Sequence, residues 1–294
     1  MDSAVGSTLP RRLLARELRR LRESAGLGVE VARRAITCSA QTLWRMETGQ
    51  SVRLRPHDIE KLGQVYRATP DEVKVLLNLT EEAQQKGWWH AYDNTFPKFL
   101  ELYLGLETSA VRLTTYQAEL IPGLLQTPEY LRALIWAWYP NLDTAEVEAR
   151  IELRIKRQAR LTYSHDPLII DVTLGETALR LPIGGPAVMA DQLRHLAEMT
   201  ELPNVTVRVV PTAVGAHRGL NIGPFVLLEF PAHPTAHLTE PPIIHCDGYT
   251  GSLYLEKPEE IEKYRGALRE IKRSALDEAE SRALISRIAK ELAQ

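Results

Sequence analysis

Residues 28–49, Gly-Val-Glu-Val-Ala-Arg-Arg-Ala-Ile-Thr-Cys-Ser-Ala-Gln-Thr-Leu-Trp-Arg-Met-Glu-Thr-Gly, constrain this chain more than any other stretch. Val29, Ala32 and Ile36 mark the buried side of one short helix, and Leu43 and Met46 face inward from the next. The few residues between them leave room only for a tight turn. Ser39 is a natural N-cap, since its hydroxyl can accept from the unpaired amides that open a helix. Glu47-Thr48-Gly49 closes the stretch, because glycine tolerates the left-handed conformation in which many helices end. Two short amphipathic helices joined in this way have the shape that lays the second helix in the major groove of DNA.

The flanking sequence supplies the rest of a small helical domain. Leu13, Leu14, Leu18 and Leu21 run through Arg11, Arg12, Arg16, Arg19, Arg20 and Arg22, which predicts a first helix with a basic outer face, stopped at Gly26. Pro56 opens a helix carrying Ile59, Leu62 and Val65, and Thr69-Pro70-Asp71 opens another with Val73, Leu76 and Leu77. A flexible N-terminus over residues 1–9 and a five-helix domain over residues 10–79 are therefore expected. Charge follows the same division. Residues 1–78 hold fourteen Lys and Arg against nine Asp and Glu, whereas the remainder is acidic by seven charges. A basic end on an acidic body suits a terminal nucleic-acid module.

Beyond it, the polar stretch Thr80 to Lys86 and Gly87-Trp88-Trp89 predict a linker or hinge over residues 80–90, with a second domain over 91–294. Phe99, Leu102, Tyr103, Leu106, Ala110 and Leu113 share one face of an expected helix. Thr127-Pro128 caps the next, and a longer helix starts near Asp143. After His165-Asp166-Pro167 the period changes. Leu168 to Leu174, Val205 to Val210, Phe225 to Phe230 and Ile243 to Cys246 with Leu253 to Leu255 read as strands. Met189, Leu193 and Leu196 mark a helix between the first two strands. Helices return at Ile261 to Ile271 and, after a Ser281 cap, at Leu284 to Leu292. The fold class is α+β: an all-α five-helix domain, then a larger mixed domain with a small sheet and C-terminal helices.

Residues 10–78 resemble the Cro/phage-repressor type of helix-turn-helix domain, the XRE family, with Leu27 to Gly49 matching its layout without a gap. The segment Tyr116 to Tyr130, with Gly87-Trp88-Trp89, Leu106-Glu107 and Ser281-Arg282-Ala283-Leu284-Ile285, resembles the domain that follows such a module in actinobacterial WhiJ-like and Scr-type antitoxin-like regulators. The resemblance implies that Ala40, Gln41, Trp44 and Arg45 point at base edges, with Ser39 and Thr42 near the backbone. Gln41 can pair with adenine and Arg45 with guanine. Gln50, Ser51, Arg53 and Arg55 are placed to hold phosphates. Two positions depart from the pattern. Val29 stands where a Gln often supports the recognition helix, and Arg33 where a small residue usually packs.

The function this implies is a sequence-specific DNA-binding transcriptional regulator whose second domain senses a partner protein or a small ligand. Its partners would be double-stranded DNA, a second copy of the chain and a small protein encoded nearby. The alternative is an antitoxin-like module that sequesters a small partner, with DNA binding weak or autoregulatory. Trp136, Trp138 and Tyr139 are candidates for a dimer surface. Catalysis, a cofactor and a metal are not expected. His233 and His237 are separated by Pro234, adjacent His245 and Cys246 would point to opposite faces of a strand, and no Cys-x-x-Cys, His-Glu-x-x-His or Gly-x-Ser-x-Gly occurs. Glu176 reads as a solvated turn residue, Pro122-Gly123 as a structural junction, and Arg150 to Arg160 as a solvated face paired with glutamates. No apolar run approaches the ~20 residues of a membrane helix. Met1 to Arg20 lacks the apolar core of a secretory leader. Two cysteines in different domains suit free thiols in a reducing cytoplasm.

Overall fold

The computed structural model describes residues 8–92, 96, 98–163 and 165–294, without the side chains of residues 98 and 99. The flexibility expected of residues 1–9 falls almost wholly outside them. The chain divides into two units. The first comprises residues 1–91, 104–109 and 232–240, and the second the remainder.

The first unit is the helical domain that the sequence predicts. Its helices are α1 (Thr8–Ser24), α2 (Val29–Ala35), α3 (Ala40–Glu47), α4 (Pro56–Val65) and α5 (Pro70–Gln84). Leu14, Leu18, Leu43, Ile59, Leu62 and Leu76 are completely buried in one core, each burial stabilising by about 1.5–3 kcal/mol. Four helix ends use one device, one of them at Gly49 after α3. At the other three, Gly26, Thr37 and Arg67 have φ of 68°, 52° and 57°. The amide that follows each reaches back to a carbonyl five residues earlier: Leu27 to Arg22, Cys38 to Arg33 and Ala68 to Gly63. These are Schellman stops.

The first half of the segment expected as a linker is helical. α5 runs on through Gln84, with Thr80 and Ala83 buried and the Thr80 hydroxyl donating to the Leu76 carbonyl at 2.7 Å. Polar composition suggested a loop, but these residues occupy the inner face of a helix already capped at Thr69. Trp89 is buried as well, and a Cβ on Gly87 would overlap its ring. Within the Gly-Trp-Trp run, Trp89 thus packs against Gly87.

The second unit contains a six-stranded mixed sheet, ordered β3-β2-β1-β4-β5-β6, from β1 (Arg112–Gln117), β2 (Ile169–Gly175), β3 (Val205–Val210), β4 (Phe225–Glu229), β5 (Ile243–Gly248) and β6 (Gly251–Leu255). β1 pairs parallel with β2 and antiparallel with β4, so it lies in the middle. This strand corrects the expected helix reaching Leu113. The helix, α6 (Lys98–Ser109), ends four residues earlier. Around the sheet stand α7 (Pro128–Trp138), α8 (Thr144–Gln158), α9 (Thr177–Arg180), α10 (Pro186–Met199), α11 (Gly219–Ile222), α12 (Pro258–Arg273) and α13 (Glu278–Leu292). α13 is capped by Asp277, in a box with Glu280, rather than by Ser281. Ser281 is buried one turn inside, where its hydroxyl accepts the Val209 amide at 3.0 Å and so satisfies part of edge strand β3. No helix among the described residues is long and apolar enough to cross a membrane.

Candidate nucleic-acid interface

Helix α3 is held from both ends and from beneath. At its start, Ser39 Oγ accepts the Thr42 amide at 3.0 Å and lies 2.9 Å from the Thr42 hydroxyl. At its end, Gly49 has φ of 70°, and the Gln50 amide donates to the Arg45 carbonyl at 2.9 Å. Leu43 and Met46 enter the core. Glu47, expected to mark only the stop, is buried and takes a two-pronged contact from Arg22 of α1. Nε donates to Oε1 at 2.7 Å and Nη2 to Oε2 at 2.9 Å. Arg22 also donates to the Leu27 carbonyl, so one side chain joins the end of α1 to α3. Pairing with Glu47 raises the guanidinium pKa above its ordinary value, although burial alone would lower it. Such forked charge-assisted bonds add geometric specificity as well as energy.

With its inner side anchored, α3 turns Ala40, Gln41, Trp44 and Arg45 outward, all four exposed. Gln41, Trp44 and Arg45 have the spacing of one helix face. Trp44 leaves 56% of its surface exposed and joins the outward face rather than the core. The loop after Gly49 is fixed in turn. Arg11, buried, donates to the carbonyls of Val52 at 3.1 Å and Ala83 at 3.3 Å, and Gln84 donates to Leu54 at 2.9 Å. Gln50, Ser51, Arg53 and Arg55 remain exposed along it. Arg33 leans outward onto Glu30, with Nε 2.8 Å from Oε1, and Val29 is 40% exposed.

The basic outer face expected of α1 is corrected by its pairing. Arg12 Nε lies 2.7 Å and Arg16 Nη1 2.6 Å from buried Glu240. Arg20 bonds both Glu17 and Glu72, and Arg19 bonds Glu23. Residues 232–240 of the same unit thus supply an acid that no local pattern announced. Arg45, Arg53 and Arg55 make no ion pair among the described residues.

Elsewhere, candidates that sequence alone set aside have structural duties. Glu176 is not the solvated turn residue expected. It is buried and accepts from the Thr212 amide at 2.8 Å and from Arg180 at 2.7 Å. Burial would raise its pKa, but these donors hold it below the ordinary carboxylate value. The Pro-Gly-Leu-Leu-Gln-Thr run is a junction. Gln126 donates to the Ile121 carbonyl, Gln192 to that of Leu125, and Gln158 to those of Gly123 and Gln126. A Cβ on Gly123 would overlap the Arg154 guanidinium. His245 lies buried between Tyr103 and Tyr254, whereas Cys246 meets the Tyr264 hydroxyl on the other face. His237 faces Glu17, and His233 accepts the Thr235 amide. No cluster of three potential ligands for a metal stands among the described residues.

Comparison with known proteins follows the same division. Residues 13–76 match the model of a helix-turn-helix domain, and residues 100–287 match that of a domain of unknown function (DUF5753). No curated protein and no solved structure matches the chain.

Proposed function

Because the chain belongs to the family of the domain of unknown function DUF5753, with a DNA-binding helix-turn-helix domain ahead of it, we propose that it is a sequence-specific transcriptional regulator whose second domain senses a partner or a small ligand. The observation that carries this reading is the outward face of α3, with exposed Gln41, Trp44 and Arg45, followed by Arg53 and Arg55, which make no ion pair among the described residues. Gln41 and Arg45 read bases, Ala40 and Trp44 pack against base edges, and Ser39, Thr42, Gln50 and Arg53 set register on phosphates. One module covers a half-site, so the regulator works as a homodimer with half-sites about one helical turn apart. It acts where the chromosome is, in the cytoplasm, and the reading assigns it no catalytic step and no cofactor.

Titration against its own promoter region by gel shift tests this. Affinity falls with salt by about 0.9 log units per log unit of salt for each phosphate neutralised. Failure to bind any genomic fragment at low salt overturns the reading. A second reading, sequestration of a small partner protein by an antitoxin-like chain, finds support in Trp136 of α7, which is 45% exposed. Replacing Gln41 and Arg45 by alanine separates the two, since only the regulator loses its phenotype.

A further inference from the structure

Helix α8 reads in sequence as a solvated stripe of arginines and glutamates, but it does not fold as one. Two of its glutamates are paired, one of them with Lys156 four residues on as the sequence suggests, but three of its arginines are turned elsewhere. Glu148 takes Arg132 of α7 at 2.9 Å, and Glu152 takes the Tyr92 hydroxyl at 2.6 Å and Lys156 at 3.4 Å. Arg150, Arg154 and Arg157, spaced four and three apart, instead line one wall of a cavity of about 500 Å³ within the second unit. That volume lies in the range of small-molecule sites.

The other walls are apolar and aromatic: Leu131, Ile135, Trp138 and Tyr139 of α7 and its end, with Tyr249 at the β5–β6 turn. Arg157 is buried, with its guanidinium 5.7 Å from the centre of the Tyr103 ring. The Arg150 guanidinium stands 4.8 Å over the Tyr139 ring, and its Nε is buried with no hydrogen-bond partner among the described residues. A buried donor on a cation without an acceptor is costly. Among the described residues on the wall, Asp247 is the one carboxylate. It accepts the Ser252 hydroxyl at 3.3 Å and lies 3.3 Å from His245 Nε2. Arg150, with its unpartnered Nε, offers the cavity a cation, and the aromatic shelves suit a flat body.

We propose that this cavity is an effector site for a small planar anion, a conjugated or aromatic body carrying one carboxylate, phosphate or sulfonate. The acid group meets Arg150, and the flat body lies between α7 and Tyr249. This rests on the regulatory reading above and names the class of signal.

The test uses the full chain and two fluorescent probes. Anilinonaphthalene sulfonate is such an anion, and phenylnaphthylamine has the same rings without the acid. The sulfonate is expected to bind one per chain and at least roughly tenfold more tightly than the neutral probe. Arg150→Gln abolishes that preference while leaving the neutral probe's affinity unchanged. Tyr249→Ser, at a fully exposed turn where folding is not at stake, weakens both probes. Equal affinity for the two probes, or sulfonate binding unaffected by both substitutions, overturns the proposal. Promoter affinity with and without saturating sulfonate then separates the two claims. A change supports the effector role, and charge-selective binding that leaves promoter affinity unmoved keeps the anion site but overturns its role as effector.

Discussion

Helices α1 and α3 lie in one unit, and the more basic of them is the less available to DNA. α1 carries Arg11, Arg12, Arg16, Arg19, Arg20 and Arg22, yet each is committed to a carboxylate or a carbonyl of its own unit. α3 carries the single cation Arg45, exposed and unpaired among the described residues. A count of basic residues therefore says little about an interface. What matters is which cations the fold leaves without an internal acid where DNA would lie, and among the described residues Arg45 and, on the following loop, Arg53 and Arg55 are of that kind. The α1 arginines build the frame that presents them.

The sharpest way to break this comparison is to cut the link between the two helices. In Glu47→Ala the Arg22 guanidinium stays buried without its partner, at a cost of about 3–5 kcal/mol. Urea unfolding of the full chain should show the helix-turn-helix unit melting at lower denaturant, with DNA binding lost alongside it. If stability is unchanged, Arg22 and Glu47 are not the pin that orients α3. Next in size is the contrast between the helices themselves. Arg45→Ala should cost about 1–3 kcal/mol of discrimination at one base position. Arg19→Ala, whose charge is already matched by Glu23, should leave both affinity and salt slope unchanged in the same gel-shift series. Arg53→Ala should lower the salt slope by about 0.9 with no change of sequence preference.

How much of this was legible follows from the range of each interaction. The Ser39 cap, the Gly49 stop and the inward Leu43 and Met46 depend on residues within one or two turns, so the outward set on α3 could be read directly. Strand β1 could not. Leu113 continues the helical spacing of Leu106 and Ala110, and β1 is a strand because β2 and β4, some sixty and a hundred residues away, bond to it. Glu240 meeting Arg12 and Arg16 is likewise a contact across more than two hundred positions. On α8 the i,i+4 pair of Glu152 and Lys156 was legible, and the turning of Arg150, Arg154 and Arg157 toward a cavity was not. Which side of an amphipathic helix of mixed charge faces inward is decided by its neighbours, here α7 with Arg132.

Acid probes the frame while sparing the reading face. Glu72 caps α5, accepting the Thr69 amide at 2.8 Å, and also receives Arg20 of α1 at 2.7 Å. The Thr69 amide, and then Arg20, hold its pKa below the ordinary carboxylate value. A depressed carboxylate contributes stability that is present above its unfolded pKa, about 4.3, and is lost as pH falls through the folded value. The helical unit should therefore lose stability from about pH 4 downward, and Glu72→Gln should flatten that part of the curve. Thermal melts of the two proteins across pH 3 to 7 check the sign. A profile unchanged by the substitution would remove Glu72 from the α1 frame.

The smallest expected effect has the opposite sign and tests the turn itself. Thr37 sits between α2 and α3 at φ 52°, a region that β-branched residues rarely enter. A left-handed residue other than glycine costs roughly 1–2 kcal/mol, whereas glycine gains about 0.5–1 kcal/mol of unfolded-chain entropy that folding must remove. The difference leaves Thr37→Gly more stable by about 0.5–1 kcal/mol. The Cys38 amide that donates to the Arg33 carbonyl at 3.0 Å is main-chain and survives the change. Because Thr37 precedes the cap and lies off the face of Gln41, Trp44 and Arg45, base preference should not move. A stabilised variant with unaltered preference would separate the turn's conformation from the chemistry of α3. Destabilisation would instead mean that the Thr37 side chain contributes more to the turn than its backbone strain costs.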